Sequence, residues 1–326
     1  MQFRKLGRTD LEVSEIAVGC SGYWGNKKFP EKKAEAIIFE AFERGVNFFD
    51  TGHNYCNFNA EPRLGNIVKN ILSSNDRSKL VISSKAGTIT PSTPIFSKKA
   101  IISKDFSPDH IEKSCSESIQ NLNCGYLDIF QLHGITESQV TPMLIERLAS
   151  MKEKGLFRYL GVNTHSEQDM LYVSKHPELF DMVLVDYNLL QLDREHVINE
   201  LYKAGIGIVA GTVLAQGHLV EGKIGTIKSV ADIWYLARAI LKPSGRRLSK
   251  NSKKMRKAIS RSSSMTAAQI AFAYVLENEA ISSCVFGTTK ISNLLEVIDS
   301  TNKTLDKDFK TSIRQSFNAL PEKISM

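Results

Sequence analysis

The sequence predicts an α/β protein, a single (β/α)8 TIM barrel over residues 1–326. Three observations predict it: eight short strand-like runs, helical patterns alternating with them, and glycines closing those helices. The runs span residues 16–18, 46–49, 80–83, 127–132, 159–162, 182–185, 207–210 and 283–286, and are rich in β-branched and aromatic side chains. Strand–helix alternation implies a parallel sheet, and eight strands close one into a barrel. An open doubly wound sheet is the alternative. Gly19-Cys20-Ser21-Gly22, after the first run, lacks the G-x-G-x-x-G spacing of its phosphate turn.

Residues 2–6 and 11–13 flank Gly7-Arg8-Thr9-Asp10 and predict an N-terminal β-hairpin placed to plug the barrel bottom. Ala34, Ile37, Ile38, Ala41 and Phe42 share one face at helical spacing, and Gly45 then ends that helix. Gly155 and Gly205 repeat this grammar. Ser107-Pro108 predicts a capping hydroxyl before a proline at the first helical position, and Thr266 with Gln269 predicts a capping box. Between the seventh and eighth runs lies a long insertion, residues 233–276, without one acidic side chain. Arg238, Lys242, Arg246, Arg247, Lys250, Lys253, Lys254, Arg256, Lys257 and Arg261 make it a solvated basic loop or an anion-binding segment.

With 42% hydrophobic and 24% charged residues the chain can bury a sizeable core, which excludes a disordered protein. No apolar run reaches the roughly 18 residues of a membrane span. The charged Met1-Gln2-Phe3-Arg4-Lys5 leads into no apolar stretch, which argues against a secretory signal. Cys20, Cys56, Cys115, Cys124 and Cys284 are scattered without a C-x-x-C pair. They read as free thiols of a reducing, cytoplasmic compartment, with no metal site implied. The net charge of +7 suits an anionic ligand, but the basic insertion is too poor in aromatics to suggest a nucleic-acid partner.

In such a barrel the polar residues at strand C-terminal ends converge on one face. Asp50, Lys85 and His133 follow the second, third and fourth runs, and Tyr55 lies in the loop beyond Asp50. Singly, each has an ordinary reading: a turn cap, a surface lysine, a core histidine, a packed loop aromatic. Together at adjacent strand ends they describe a proton-transfer apparatus. Reducing a carbonyl by hydride needs a proton donor at the developing alkoxide. A phenol titrates near 10. A neighbouring ammonium favours the phenolate and lowers that pKa, an aspartate holds the ammonium, and a neutral histidine can orient the carbonyl oxygen or pass a proton.

The stretch Asp50-Thr51-Gly52-His53-Asn54-Tyr55, with Asn59, Glu61 and Leu64-Gly65, resembles the first signature of the aldo-keto reductases. Ser84-Lys85 is similar to that family's lysine segment, and residues 127–133 to its histidine strand. Leu160-Gly161-Val162-Asn163 and residues 205–217 resemble later strand ends, so the likeness runs from about Phe3 to about Ser300. The resemblance implies an NAD(P)H-dependent oxidoreductase acting on an aldehyde, ketone or sugar. Tyr55 would be the general acid, with Asp50, Lys85 and His133 tuning and orienting. It implies a cofactor, NADP first and NAD as the other choice, extended over the barrel top. Asn163 would hold the carboxamide. Thr212, Leu214 and Gly217 would meet the pyrophosphate beside Ser21, with Gly287, Thr288, Lys290 and Asn293 near the adenosine end. Tyr23, Trp24 and His53 are candidate substrate contacts.

The chain also departs from the family pattern. The family often has Ser-Asn at Asn163-Thr164, glutamine at Leu184, an aromatic under the nicotinamide at Gly211 and an arginine near Asn293. The proton-transfer set is therefore complete, while the nicotinamide-holding set is altered. Two other readings share the fold: a non-catalytic NADP(H)-binding regulatory subunit, and a sugar-phosphate isomerase or lyase.

Overall fold

Parallel hydrogen bonding runs unbroken round eight strands in the computed structural model, which describes residues 1–89, 103–220, 243–260 (side chains from 250) and 264–320. The strands are β3 (Ile16–Gly19), β4 (Phe48–Asp50), β5 (Val81–Ala86), β6 (Leu127–His133), β7 (Phe157–Thr164), β8 (Met182–Asp186), β9 (Gly207–Gly211) and β10 (Ser283–Phe286). β10 pairs with both β9 and β3, which closes the barrel and leaves no sheet edge. Each strand lies where the sequence puts a run; β5 and β7 are longer than read, because polar C-terminal residues continue the pairing.

The hairpin is present as β1 (Phe3–Lys5) and β2 (Glu12–Ser14), paired antiparallel. It does plug the barrel bottom: Leu6, Leu11 and Val13 are buried with Ala17, Phe48, Val81, Ile129, Met182, Leu184 and Val209 in one interior cluster. The turn comes very close to β9. Gly7, at φ +54°, has space for no side chain, because a Cβ there would lie 2.3 Å from the amide nitrogen of Gly207.

The larger core lies between the barrel wall and the helices, as amphipathic faces require. The helix Glu31–Glu43 buries Ala34, Ile37, Ile38 and Ala41. Gly45, Gly155 and Gly205 follow helices at positive φ. Thr266 and Gln269 form the expected capping box. Ser107 is the N-cap ahead of Pro108, but its hydroxyl makes no cap bond; its amide instead donates to Asp105 Oδ1 at 2.8 Å.

The described part of the basic insertion holds two helices: the capped Ala267–Leu276, and Pro243–Ile259, where the sequence suggested a loop. Met255, Ala258 and Ile259 recur on one buried face, which anchors it, and Lys250, Lys253, Lys254 and Lys257 stand on the exposed side. The Arg256 guanidinium donates to the carbonyl oxygen of His218, pinning the helix to the loop after β9. Arg238, Lys242 and Arg261 lie outside the described residues, as do the side chains of Arg246 and Arg247. Among the described residues no helix is long and apolar enough to cross a membrane, and all five cysteines are free.

Candidate active site

β4, β5 and β6 are consecutive in the barrel, so Asp50, Lys85 and His133 reach its mouth side by side. Lys85 Nζ donates to Asp50 Oδ2 at 2.5 Å and to the carbonyl oxygen of Thr51 at 2.7 Å. Both side chains are almost fully buried, at 1% and 5% exposure, so the ammonium survives there only because it is paired and hydrogen-bonded. Burial pushes the Lys85 pKa down, but the charge of Asp50 and the Tyr55 phenol hold it above the ordinary value. Lys85 is a cation at neutral pH.

Tyr55 is presented by an unusual turn. Its amide donates to the carbonyl of Gly52, and Cys56, Asn57 and Phe58 follow at φ 57°, 56° and 62°. Three successive left-handed residues without a glycine cost backbone energy, on the order of 1–2 kcal/mol each. They turn the chain sharply enough to leave the phenol beside the ion pair: Lys85 Nζ lies 5.1 Å from the centre of its ring. Lys85 lowers the phenol pKa, as the sequence suggests. Burial acts more strongly, with Asp50 adding to it, so the net shift is upward and the phenol holds its proton.

The His133 ring meets the Tyr55 ring edge-on, with centroids 5.6 Å apart at 78°. Burial, then the charges of Lys85, His165 and Lys104, push its pKa down to about 3. It is a neutral imidazole, and its buried Nδ1 has no partner among the described residues. A phenol, a neutral imidazole and a buried cation thus border one point.

Two supports under this set escape a reading of the sequence. Gln131 Nε2 donates to Asp50 Oδ1 at 2.8 Å and to Ser83 Oγ at 2.6 Å, fixing the carboxylate from below. Its signal is present: Ile129, Gln131 and His133 alternate inward along β6, and a polar residue in that series calls for a partner. Asp186 accepts from Thr212 Oγ1 at 2.9 Å, and its other oxygen is 2.5 Å from His165 Nδ1. His165 directly follows β7 and Asp186 ends β8.

The remaining candidates divide. Asn163 is buried at the mouth with its amide 3.4 Å from the carbonyl of Leu184, a long bond that leaves capacity for a ligand. Leu184 faces Gly211: a Cβ there would lie 3.1 Å from Leu184 Cδ2. The leucine side chain therefore borders the space that a larger residue at 211 would take. The Thr212 hydroxyl is engaged by Asp186, Leu214 is buried, and Gly217, at φ +91°, has no described atom within 4 Å of its Cβ position. Gly287, exposed, and Thr288, buried, lead into the helix Ile291–Asp299. Thr288 Oγ1 accepts from the Lys290 amide and from Asn293 Nδ2, ordering that turn, and Lys290 is exposed. Ser21 and Tyr23 are partly exposed in the loop after β3.

Trp24 is only 2% exposed, its indole N–H donates to the carbonyl of Ala34, and Arg63 lies over its ring, so it packs against the first helix and offers little surface to a substrate. An indole with a buried partner is an ordinary core residue. His53 stands at the mouth, with Nε2 2.9 Å from Glu117 Oε2 and its amide bonded to the carbonyl of Lys85.

A phenol, a buried cation and a neutral imidazole thus gather at the C-terminal mouth of a parallel barrel, the face on which barrel enzymes carry their active sites. The chain belongs to the aldo/keto reductase family, whose model matches residues 15–317 and whose members are NAD(P)H-dependent oxidoreductases. It is 26% identical over 303 residues to the uncharacterized oxidoreductase YqkF of Bacillus subtilis (strain 168), covering 93% of this chain and 92% of that one. It is 27% identical over 323 residues to the probable aldo-keto reductase 1 of Glycine max, covering 97% and 88% of the two chains. In fold it is similar to aldo-keto reductase AKR11C1 from Bacillus halodurans (holo form), with a TM-score of 0.76 at 21% identity over 97% of this chain and 96% of that one.

Proposed function

We propose that this protein is a cytoplasmic, single-domain reductase that interconverts a carbonyl group (aldehyde, ketone or sugar) and an alcohol, with Tyr55 as general acid and NADP, or else NAD, as cofactor. The observation that carries the reading is the contiguous arrangement of Tyr55, Lys85, Asp50 and His133 at one end of the barrel.

The residues fit a nicotinamide nucleotide. Asn163 retains hydrogen-bonding capacity for a carboxamide. The Gly217 position, exposed Gly287 and the first turn of the helix Ile291–Asp299 suit phosphate groups, with Lys290 beside them. Leu184 and Gly211 offer neither amide nor aromatic ring, so this chain would hold the nicotinamide end by shape and by Asn163. A bound reduced nicotinamide would supply the hydride. Tyr55 gives its proton to the carbonyl oxygen as charge develops there, and buried Lys85 stabilises the phenolate left behind. Neutral His133 orients the same oxygen. Asp50, held by Gln131, keeps Lys85 charged and in place.

The test is a fluorescence titration of the protein with NADPH and with NADH, followed by a carbonyl and sugar panel with the tighter-binding one. Binding of neither nucleotide would refute the reading.

A further inference from the structure

We propose that Lys104 and His165 form an anion-binding subsite at the barrel mouth, selecting carbonyl substrates that carry a carboxylate or phosphate group. This rests on the reductase reading above.

The geometry begins with Lys104. Its backbone bridges antiparallel to Thr88, three residues beyond Lys85, so the chain returns across the mouth there. The Lys104 ammonium donates to the carbonyl of Gly134, the residue directly after His133. That bond uses one N–H, and an ammonium has three. The Gly134 amide in turn donates to the carbonyl of Asn163 at 2.8 Å. His165 is two residues further on, just past the strand end, and its charge and that of Lys104 both act on His133. Lys104, His133 and His165 therefore follow one another round the rim.

His165 is held by a built arrangement. Asp186, 3% exposed, takes Nδ1 at 2.5 Å and the Thr212 hydroxyl at 2.9 Å. Beneath, Arg194 donates to the carbonyls of both Asp186 and His165, at 2.8 Å each, locking the two backbones together. With Nδ1 fixed, the other ring nitrogen faces outward; the His165 side chain is 53% exposed, and no described residue bonds Nε2. An imidazole oriented by a buried carboxylate and open at Nε2 is poised to meet a ligand.

The charges facing His165 are Asp186, Arg194 and Lys104, with His133 neutral beside it and Asp169 near Lys104. The Asp186 hydrogen bond holds the His165 pKa above its ordinary value, against burial, Arg194 and Lys104. As an imidazolium it offers one N–H beside the two Lys104 N–H groups that no described residue takes, a donor set matched to a carboxylate or phosphate. The hydride and proton steps need neither group, so their placement calls for another role.

The test compares kcat/KM for succinic semialdehyde against butanal, and for glyceraldehyde 3-phosphate against glyceraldehyde. The charged member of at least one pair should be preferred by about tenfold or more. The pair that shows it separates carboxylate from phosphate. That preference should collapse in Lys104→Met and in His165→Gln and persist in Lys104→Arg. Turnover of the neutral members without a charged preference, or a preference untouched by both substitutions, overturns the subsite. Turnover of no carbonyl overturns the reductase reading instead. The subsite is then judged by calorimetric titration with butyrate, whose binding to the cofactor-mixed protein must be lost in His165→Gln and Lys104→Met.

Discussion

Lys85 Nζ sits 2.5 Å from Asp50 Oδ2 in a place from which water is nearly excluded. The pair is an electrostatic unit: neither charge is tolerable there alone. Asp50→Ala should therefore destabilise the fold by about 3–5 kcal/mol, the usual effect of stranding one member of a buried pair. Asp50→Ala combined with Lys85→Met should recover much of that loss. Urea unfolding of the two variants checks this, and equal destabilisation would contradict it.

The pH dependence follows from the same burial. Tyr55 titrates above its ordinary value, so the acid form persists to a pH above about 10. His133, at about 3, is neutral throughout the working range. For an uncharged carbonyl, kcat/KM should then be flat from about pH 5 to about pH 9. For an anionic one it should fall as pH rises through the raised pKa of His165 and the imidazolium is lost. Initial rates with the paired substrates measure both.

His165 also links pH to stability. Its folded-state pKa is raised, so the bond to Asp186 contributes fully below the unfolded value of about 6.5 and fades as pH rises through the folded value. In His165→Gln that pH-dependent component should disappear from the urea midpoint measured between about pH 5 and about pH 9.

At the opposite end of the barrel, Gly7→Ala should destabilise by about 1–3 kcal/mol or more, since it forces both an unfavourable φ and a collision with Gly207. Arg8→Ala, one residue away on the exposed side, should change the urea midpoint far less.

Much of this was legible in the residues themselves. All eight barrel strands and the hairpin announce themselves through β-branched and aromatic runs, because burial on both faces of a parallel sheet demands apolar side chains. The strand ends were harder. Lys85, His133 and Thr164 continue strands that composition alone would stop, because their backbones go on pairing with the neighbouring strands. Asp50, Lys85 and His133 were visible because each follows a clear strand. Gln131 was hidden inside one. His165 and Asp186 become a pair only through strand neighbourhood, which no local spacing encodes. Trp24 shows the converse: a loop aromatic that reads as a ligand contact packs against the first helix.

The central claim is that Tyr55 delivers the proton, and Tyr55→Phe tests it most directly. With the best carbonyl substrate its kcat should drop by at least about a hundredfold, while fluorescence titration shows the cofactor bound as before. Full activity in that variant would contradict the account.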